Sequence, residues 1–348
     1  MDPLISELSE RIRQAGAQKR SLRIRGGGTK DFYAFKLEGE PLDLSGYRGI
    51  VDYEPSELVL TARAGTPLAE IEDALARSGQ MLACEPPYFG PNATLGGCVA
   101  AGFSGPRRAA AGSVRDFVLG TRVLNGAGQD LRFGGQVMKN VAGFDVSRLM
   151  TGSFGTLGVI LEASLKVLPR PEDEATLRFQ LNAADAIEAM NRWAAQPLPI
   201  SATCHVGGAL TVRVSGSKLG VAAARAKIGG ELVPEGQAFW RAVREQTLDA
   251  FRGPLWRLSI KSTTPPLALP GKQVIEWNGS LRWIATDAPA QQVFEVARQA
   301  GGHATRFRVN NGTPMIRLDP AVLELHKRLK AALDPDGIFG PRRLHPDF

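Results

Sequence analysis

The sequence predicts an α+β protein in two parts: a loop-rich N-terminal domain, then a smaller α+β cap domain built on an antiparallel sheet. Three observations lead there. Two glycine-rich stretches, Arg25–Lys30 and Gly90–Gly120, are flanked by apolar strand-like runs. Pro169-Arg170-Pro171 breaks that pattern. Beyond Ala175 strands alternate with helices of ordinary length, the texture of a layered α+β unit with helices on one face of its sheet. A chain of 348 residues holds two domains at about 150 residues each. The expected boundaries are 1–170, 171–310, and a closing helix and loop at 311–348 that returns to the first domain.

In order, an amphipathic helix ends near Lys19 and a strand starts at Ser21–Arg25. Strands follow at Gly49–Tyr53 and Leu58–Ala64. Thr66 reads as an N-cap with Pro67 at the first helical position, and Gly79 as the stop. Further strands are expected at Val118–Leu124 and Gly158–Val167. The cap domain reads as strand Thr176–Leu181, helix Ala183–Gln196, strand Leu210–Ser215 and helix Lys218–Ile228. Helix Phe239–Phe251 precedes strands Trp256–Ser262 and Ser280–Ala285. Helix Ala288–Ala300 and strand Ala304–Val309 follow, and a last helix, Pro320–Ala332, is capped by Asp319.

Glycine lets another molecule approach the backbone closely, and successive exposed N–H groups form an anion-binding concavity. Two such loops suit a long, doubly anchored ligand with a central pyrophosphate. The common dinucleotide motifs are absent. Gly26-Gly27-Gly28-Thr29-Lys30 lacks the third glycine of a Rossmann turn, Gly152–Gly158 has the wrong spacing, and no window supplies a Walker loop.

Five ordered segments instead resemble the vanillyl-alcohol-oxidase/p-cresol-methylhydroxylase (PCMH-type) family of FAD-binding proteins. They are Arg23–Lys30, Thr94–Gly97, Gly112–Gly120, Gly152–Ile160 and Leu333–Arg343. Within that family, Lys139–Leu149 (KNVAGFDVSRL) is similar to a segment typical of a glycolate oxidase branch. The resemblance implies a PCMH-type FAD-binding domain with non-covalent FAD. It places main-chain contacts to the cofactor at Arg25, Gly26, Gly27, Gly28, Thr29, Lys30, Pro91, Thr94, Gly96, Gly97, Ser104, Gly105, Gly112, Ser113, Gly158, Val159 and Ile160, with Arg343 closing the site. Asp116 either binds a cofactor hydroxyl or stabilises its own loop. Gly340 and Arg342 depart from the family's asparagine and glycine. The resemblance also implies two partners, a larger FAD-binding glycolate oxidase subunit and an iron–sulfur subunit, and a small 2-hydroxy-acid substrate.

Composition agrees with a folded protein of ordinary polarity, 43% hydrophobic and 22% charged. No apolar run approaches the roughly 20 residues that span a bilayer, and the acidic start is unlike a secretory signal. A cytoplasmic protein is expected, with at most peripheral membrane contact through partners. The net charge of +7 comes from scattered basic residues without a nucleic-acid motif, so no nucleic-acid partner is expected. Three cysteines without a C-x-x-C pair cannot ligate a four-cysteine cluster, and four scattered histidines offer no metal motif.

Oxidation of a 2-hydroxy acid needs a base for the hydroxyl proton and cations for the carboxylate. Arg257, Lys261 and Arg343 are the candidate cations, the first two sharing a face of a predicted strand. The family's clustered histidines are missing. The expected function is an FAD-binding subunit of a glycolate oxidase complex. Two alternatives stay open: a non-catalytic assembly subunit, or a stand-alone FAD-dependent oxidoreductase of another hydroxy acid or sugar.

Overall fold

The computed structural model describes residues 2–135, 145–308 and 317–348. The KNVAGF part of the Lys139–Leu149 segment lies outside them. The chain forms two units, Met1–Phe103 with Ser113–Pro169 and Leu318–Phe348, and Ser104–Gly112 with Arg170–Arg317.

In the first unit an antiparallel sheet runs in the order Ile50–Glu54, Val59–Arg63, Val159–Lys166, Val118–Leu124, Asp130–Gly134. A parallel pair, Leu22–Arg25 with Glu40–Asp43, lies apart from it. Helix Pro3–Ala17 starts where the Asp2 carboxylate accepts from the Leu4 N–H at 3.0 Å. Its Ile5, Leu8, Ile12 and Ala15 recur at helical spacing and pack with Leu22, Leu42, Leu124, Leu161 and Phe339.

The C-terminal helix Pro320–Leu333 is held to this core by a buried ion pair. Lys330 Nζ donates to Asp334 Oδ2 (2.6 Å), to the Phe339 carbonyl (2.6 Å) and to the Thr156 carbonyl (2.8 Å). Asp334 accepts in turn from the Ile338 and Phe339 amides. Burial lowers the Lys330 pKa, and Asp334 opposes the shift.

The second unit carries an eight-stranded antiparallel sheet. Its order is Glu231–Leu232, Asp173–Gln180, Ala209–Gly216, Ile200–Val206, Lys272–Glu276, Leu281–Ala285, Leu255–Ser259, His303–Arg308. Two central strands, Ile200–Val206 and Lys272–Glu276, go unread in the sequence. Ile200–Val206 alternates apolar and polar residues, yet Ser201, Thr203 and His205 are buried and hydrogen-bonded, so the strand is buried on both faces instead of presenting one side to solvent.

Helices Ala183–Ala194, Lys218–Ile228 and Ala290–Gln299 pack on one face, against Leu210, Val212, Leu177, Trp256 and Ile284. A fourth helix, Gly236–Arg244, corrects the one-sided expectation. It covers the opposite face, where Trp240 Nε1 donates to Thr176 Oγ1 at 2.9 Å. Gly236 permits that approach, since a Cβ there would lie 2.1 Å from the same hydroxyl.

Other boundaries differ for local reasons. Pro67, not Thr66, is the residue before helix Leu68–Arg77, because the Thr66 hydroxyl is taken by the Gly49 N–H and the Arg63 carbonyl. The expected helix Phe239–Phe251 stops at Arg244. Gln246 turns left-handed (φ +54°), Thr247 N–H reaches back to the Ala242 carbonyl, and a short 3₁₀ turn follows at Asp249–Phe251. Strand Leu255–Ser259 ends before Lys261, so Arg257 and Lys261 do not share a strand face.

Lys330→Met, which leaves the Asp334 carboxylate buried without its partner, is expected to cost about 3–5 kcal/mol in urea unfolding. A loss under about 1 kcal/mol would mean that the pair does not hold the C-terminal segment.

Candidate functional site

Strand Leu22–Arg25 delivers the chain into Gly26-Gly27-Gly28-Thr29-Lys30 at the edge of a cavity in the first unit. The facing wall is Thr94 and the short helix Leu95–Ala101, which Thr94 caps through its hydroxyl to the Gly97 N–H (3.3 Å). Phe154-Gly155 and Gly158 to Ile160 supply a third wall, and Arg343 a fourth.

The glycines have two separate jobs. A Cβ on Gly27 would lie 1.5 Å from the Asn92 carbonyl oxygen, one on Gly26 2.4 Å from Thr94 Oγ1, and one on Gly96 2.7 Å from Ala64 Cβ. These three let the walls press together. Gly28, at φ +70°, bends the loop into a conformation that costs other residues energy. Among the described residues no acceptor meets the N–H groups of Gly27, Gly28 or Thr29.

Arg343 is buried over the Phe154 ring (5.7 Å to the centroid), 3.5 Å from Asp31 Oδ1. Its Nε is buried without a hydrogen-bond partner among the described residues. Burial pulls the Arg343 pKa below the ordinary arginine value, with Asp31 opposing. Phe154 itself is left-handed (φ +51°) and stacks on Tyr33 at 4.9 Å. Lys30 is buried, with Nζ donating to Thr29 Oγ1 and to the Tyr88 carbonyl. Free amides beside Arg25, Lys30 and an incompletely satisfied Arg343 suit an anionic ligand, and the apolar remainder (Ile24, Leu44, Ala64, Ala100, Ala101, Phe154, Ile160) suits a ring system. The residues present therefore fit FAD.

Of the residues expected from sequence, Arg25, Gly26, Gly27, Gly28, Thr29, Lys30, Thr94, Gly96, Gly97, Gly158, Ile160 and Arg343 line this cavity together. Pro91 is exposed outside the lining, and Val159 points into the core with Leu124 and Leu161. Ser104, Gly105 and Gly112 belong to the second unit. Asp116 Oδ2 accepts from both the N–H and the hydroxyl of Ser113 (2.8 Å each), the loop-stabilising role. Arg257 lies over the Trp277 ring in the second unit, and Lys261 is exposed. Sequence reasoning missed Asp31 and Phe154. The left-handed turn that presents Phe154 carries no signal in a bulky residue.

A family model described as an FAD binding domain matches residues 5–134. The chain is 50% identical over 343 residues to "Glycolate oxidase subunit GlcE" of Escherichia coli strain K12, covering 98% of this chain and 97% of the relative. It is 34% identical over 128 residues to "Glycolate oxidase subunit GlcD" of Bacillus subtilis strain 168, covering 37% of this chain and 27% of that one. Among solved structures, alkyldihydroxyacetonephosphate synthase superposes with a TM-score of 0.67 at 15% identity, covering 97% of this chain and 74% of the other. That likeness concerns the fold.

Gly27→Ala forces the two glycine segments apart and is expected to weaken FAD binding by at least about tenfold. Gly46→Ala, where a Cβ meets nothing within 4 Å, serves as the control. Titration of the flavin-stripped chain with FAD measures both, and equal affinities would refute the packing account.

Proposed function

Since the chain belongs to the family of glycolate oxidase subunit GlcE, a family of FAD-binding oxidoreductases, we propose that it is the FAD-holding subunit of a glycolate oxidase complex that converts glycolate to glyoxylate. The observation that carries this reading is kinship along nearly the whole of both chains. Bound FAD supplies the hydride-accepting chemistry for a 2-hydroxy acid. The chain's own contribution is position and charge. The amides of Gly27, Gly28 and Thr29 hold the pyrophosphate, Lys30 and Arg25 balance its charge, and Arg343 fixes the closing side of the cavity.

A larger flavin subunit and an iron–sulfur subunit complete the proposed assembly. Cys84, Cys98 and Cys204 are each buried, and burial raises their thiol pKa values well above the ordinary range or, for Cys98, to about 12. A buried thiol of that kind is a poor source of the thiolate a cluster needs. Electrons that leave through iron–sulfur centres therefore require a partner that carries them. Among the described residues no helix is long and apolar enough to cross a membrane, which is compatible with attachment through such partners.

Flavin released by acid from the purified full chain is expected at parity with protein, and a complex assembled without this chain is expected to lose glycolate oxidation. Full activity of the complex without the chain overturns the proposal. Flavin-free chain that still restores activity moves the reading to a non-catalytic assembly subunit.

A further inference from the structure

The cavity lining of the first unit carries a carboxylate, Asp31, in the same turn as the amides of Gly28 and Thr29 that suit an anion. The Asp31 N–H donates to the Gly28 carbonyl at 3.2 Å, which fixes the acid beside those amides. An acid in an anion cradle repels the ligand it adjoins, so its presence there needs a reason within the protein.

The reason lies in its two arginine partners. Asp31 Oδ2 is 3.4 Å from Arg23 Nη1, and Asp31 Oδ1 is 3.5 Å from Arg343 Nη2. Both contacts exceed the roughly 2.7–2.9 Å of a charge-assisted hydrogen bond, so one carboxylate is shared loosely between two guanidinium groups. The partners are unequally exposed. The Asp31 side chain keeps 29% of its surface and Arg23 21%, against 7% for Arg343. Asp31 can therefore release Arg343 and stay hydrated and paired with Arg23. Arg343 has no such latitude, because a buried charge stripped of its partner is strongly destabilising. Among the described residues its Nε already lacks a hydrogen-bond partner, and burial lowers its pKa even though Asp31 opposes the shift. Arg343 is also held in place. Its N–H donates to the Gly340 carbonyl (3.1 Å), its own carbonyl accepts from the Phe35 N–H (2.6 Å), and its guanidinium lies over the Phe154 ring. An anion must come to it.

We propose that Asp31 is a placeholder: it occupies Arg343 until FAD binds, and Arg343 then exchanges that carboxylate for the cofactor's pyrophosphate while Asp31 stays with Arg23. The inference rests on the reading of the chain as an FAD-holding subunit and deepens it, by naming a positioning residue that governs loading and release. Asp31 stabilises the flavin-free chain and competes with FAD for one cation. Its removal therefore weakens the fold and strengthens cofactor binding, a combination that neither a structural acid nor a cofactor ligand produces.

The test uses the full chain, stripped of flavin and reloaded, with FAD affinity taken from titration and a melting temperature for each form. Asp31→Asn is expected to lower the melting temperature of the flavin-free chain by several degrees and to leave the loaded chain near wild type. It should bind FAD roughly tenfold more tightly. Asp31→Glu, which restores the charge, should return all three readings toward wild type. Arg343→Gln is expected to weaken FAD binding roughly ten- to hundredfold, the scale of a lost charge-assisted hydrogen bond. In the double variant it should cancel the gain from Asp31→Asn, since the two residues act as a unit. Glu295→Gln, which removes an exposed acid paired with Arg298, should change nothing. If the Asn variant resists stripping, slower release of FAD from the loaded protein, read from flavin fluorescence after dilution, tests the same exchange. Lower melting of both forms with unchanged affinity makes Asp31 a plain structural residue and overturns the inference. Weaker FAD binding makes it a cofactor ligand, and tighter binding with unaltered flavin-free melting makes it a source of repulsion alone; either outcome also overturns the exchange. Wild-type chain that takes up no FAD brings down the broader reading with it.

Discussion

Much of the first unit hangs on the buried Lys330–Asp334 pair. The three donors of the ammonium group go to Asp334 and to the carbonyls of Thr156 and Phe339. The carboxylate accepts in addition from two amides of the loop that follows. No member of this small network is left unsatisfied, the condition under which a buried charge pair is tolerable. Each partner leads to a wall of the cavity. Thr156 lies in the glycine turn between Phe154 and Gly158. Phe339 is bridged to Leu22, at the start of the strand that enters the Gly26–Lys30 loop. Arg343 lies four residues beyond Phe339. One ion pair thereby references three separate chain segments to one another, and its value is geometric specification more than net stability.

Around that anchor the glycines divide their work. Gly26, Gly27 and Gly96 are required by neighbouring protein atoms, because any side chain would occupy space already filled by Thr94, Asn92 or Ala64. The amides of Gly27, Gly28 and Thr29 meanwhile lack internal acceptors among the described residues. Close packing of the loop segments and exposure of their N–H groups are thus two consequences of one local composition. A loop with side chains would fail at the first before it reached the second.

The second unit solves a different problem. Its sheet is covered on both faces, so polar side chains inside it must find partners within the protein. Ser201, Ser215, Glu174, Arg107 and Arg213 do so in a connected network. Arg213 also rides on Trp240 at 5.1 Å, an arrangement that Arg108 and Arg257 repeat on Trp277. Aromatic faces recur in this unit as supports for buried or half-buried cations.

The sequence by itself determined the elements whose signals are local. Helix Lys218–Ile228 ends at a glycine with φ +70°, and helix Pro320–Leu333 begins at Asp319, whose carboxylate accepts from the Ala321 N–H. The FAD-binding family, the glycine loops and Arg343 were also legible, because ordered motifs of small residues survive as a pattern in one dimension. Only the tertiary structure decided which loop amides remain free, that Asp116 serves Ser113, that Phe154 and Asp31 join the cavity, and that Trp277 carries two arginines. Those outcomes depend on residues far apart in the chain meeting at a few ångströms, and on backbone conformations that bulky side chains accept only when their surroundings compel them.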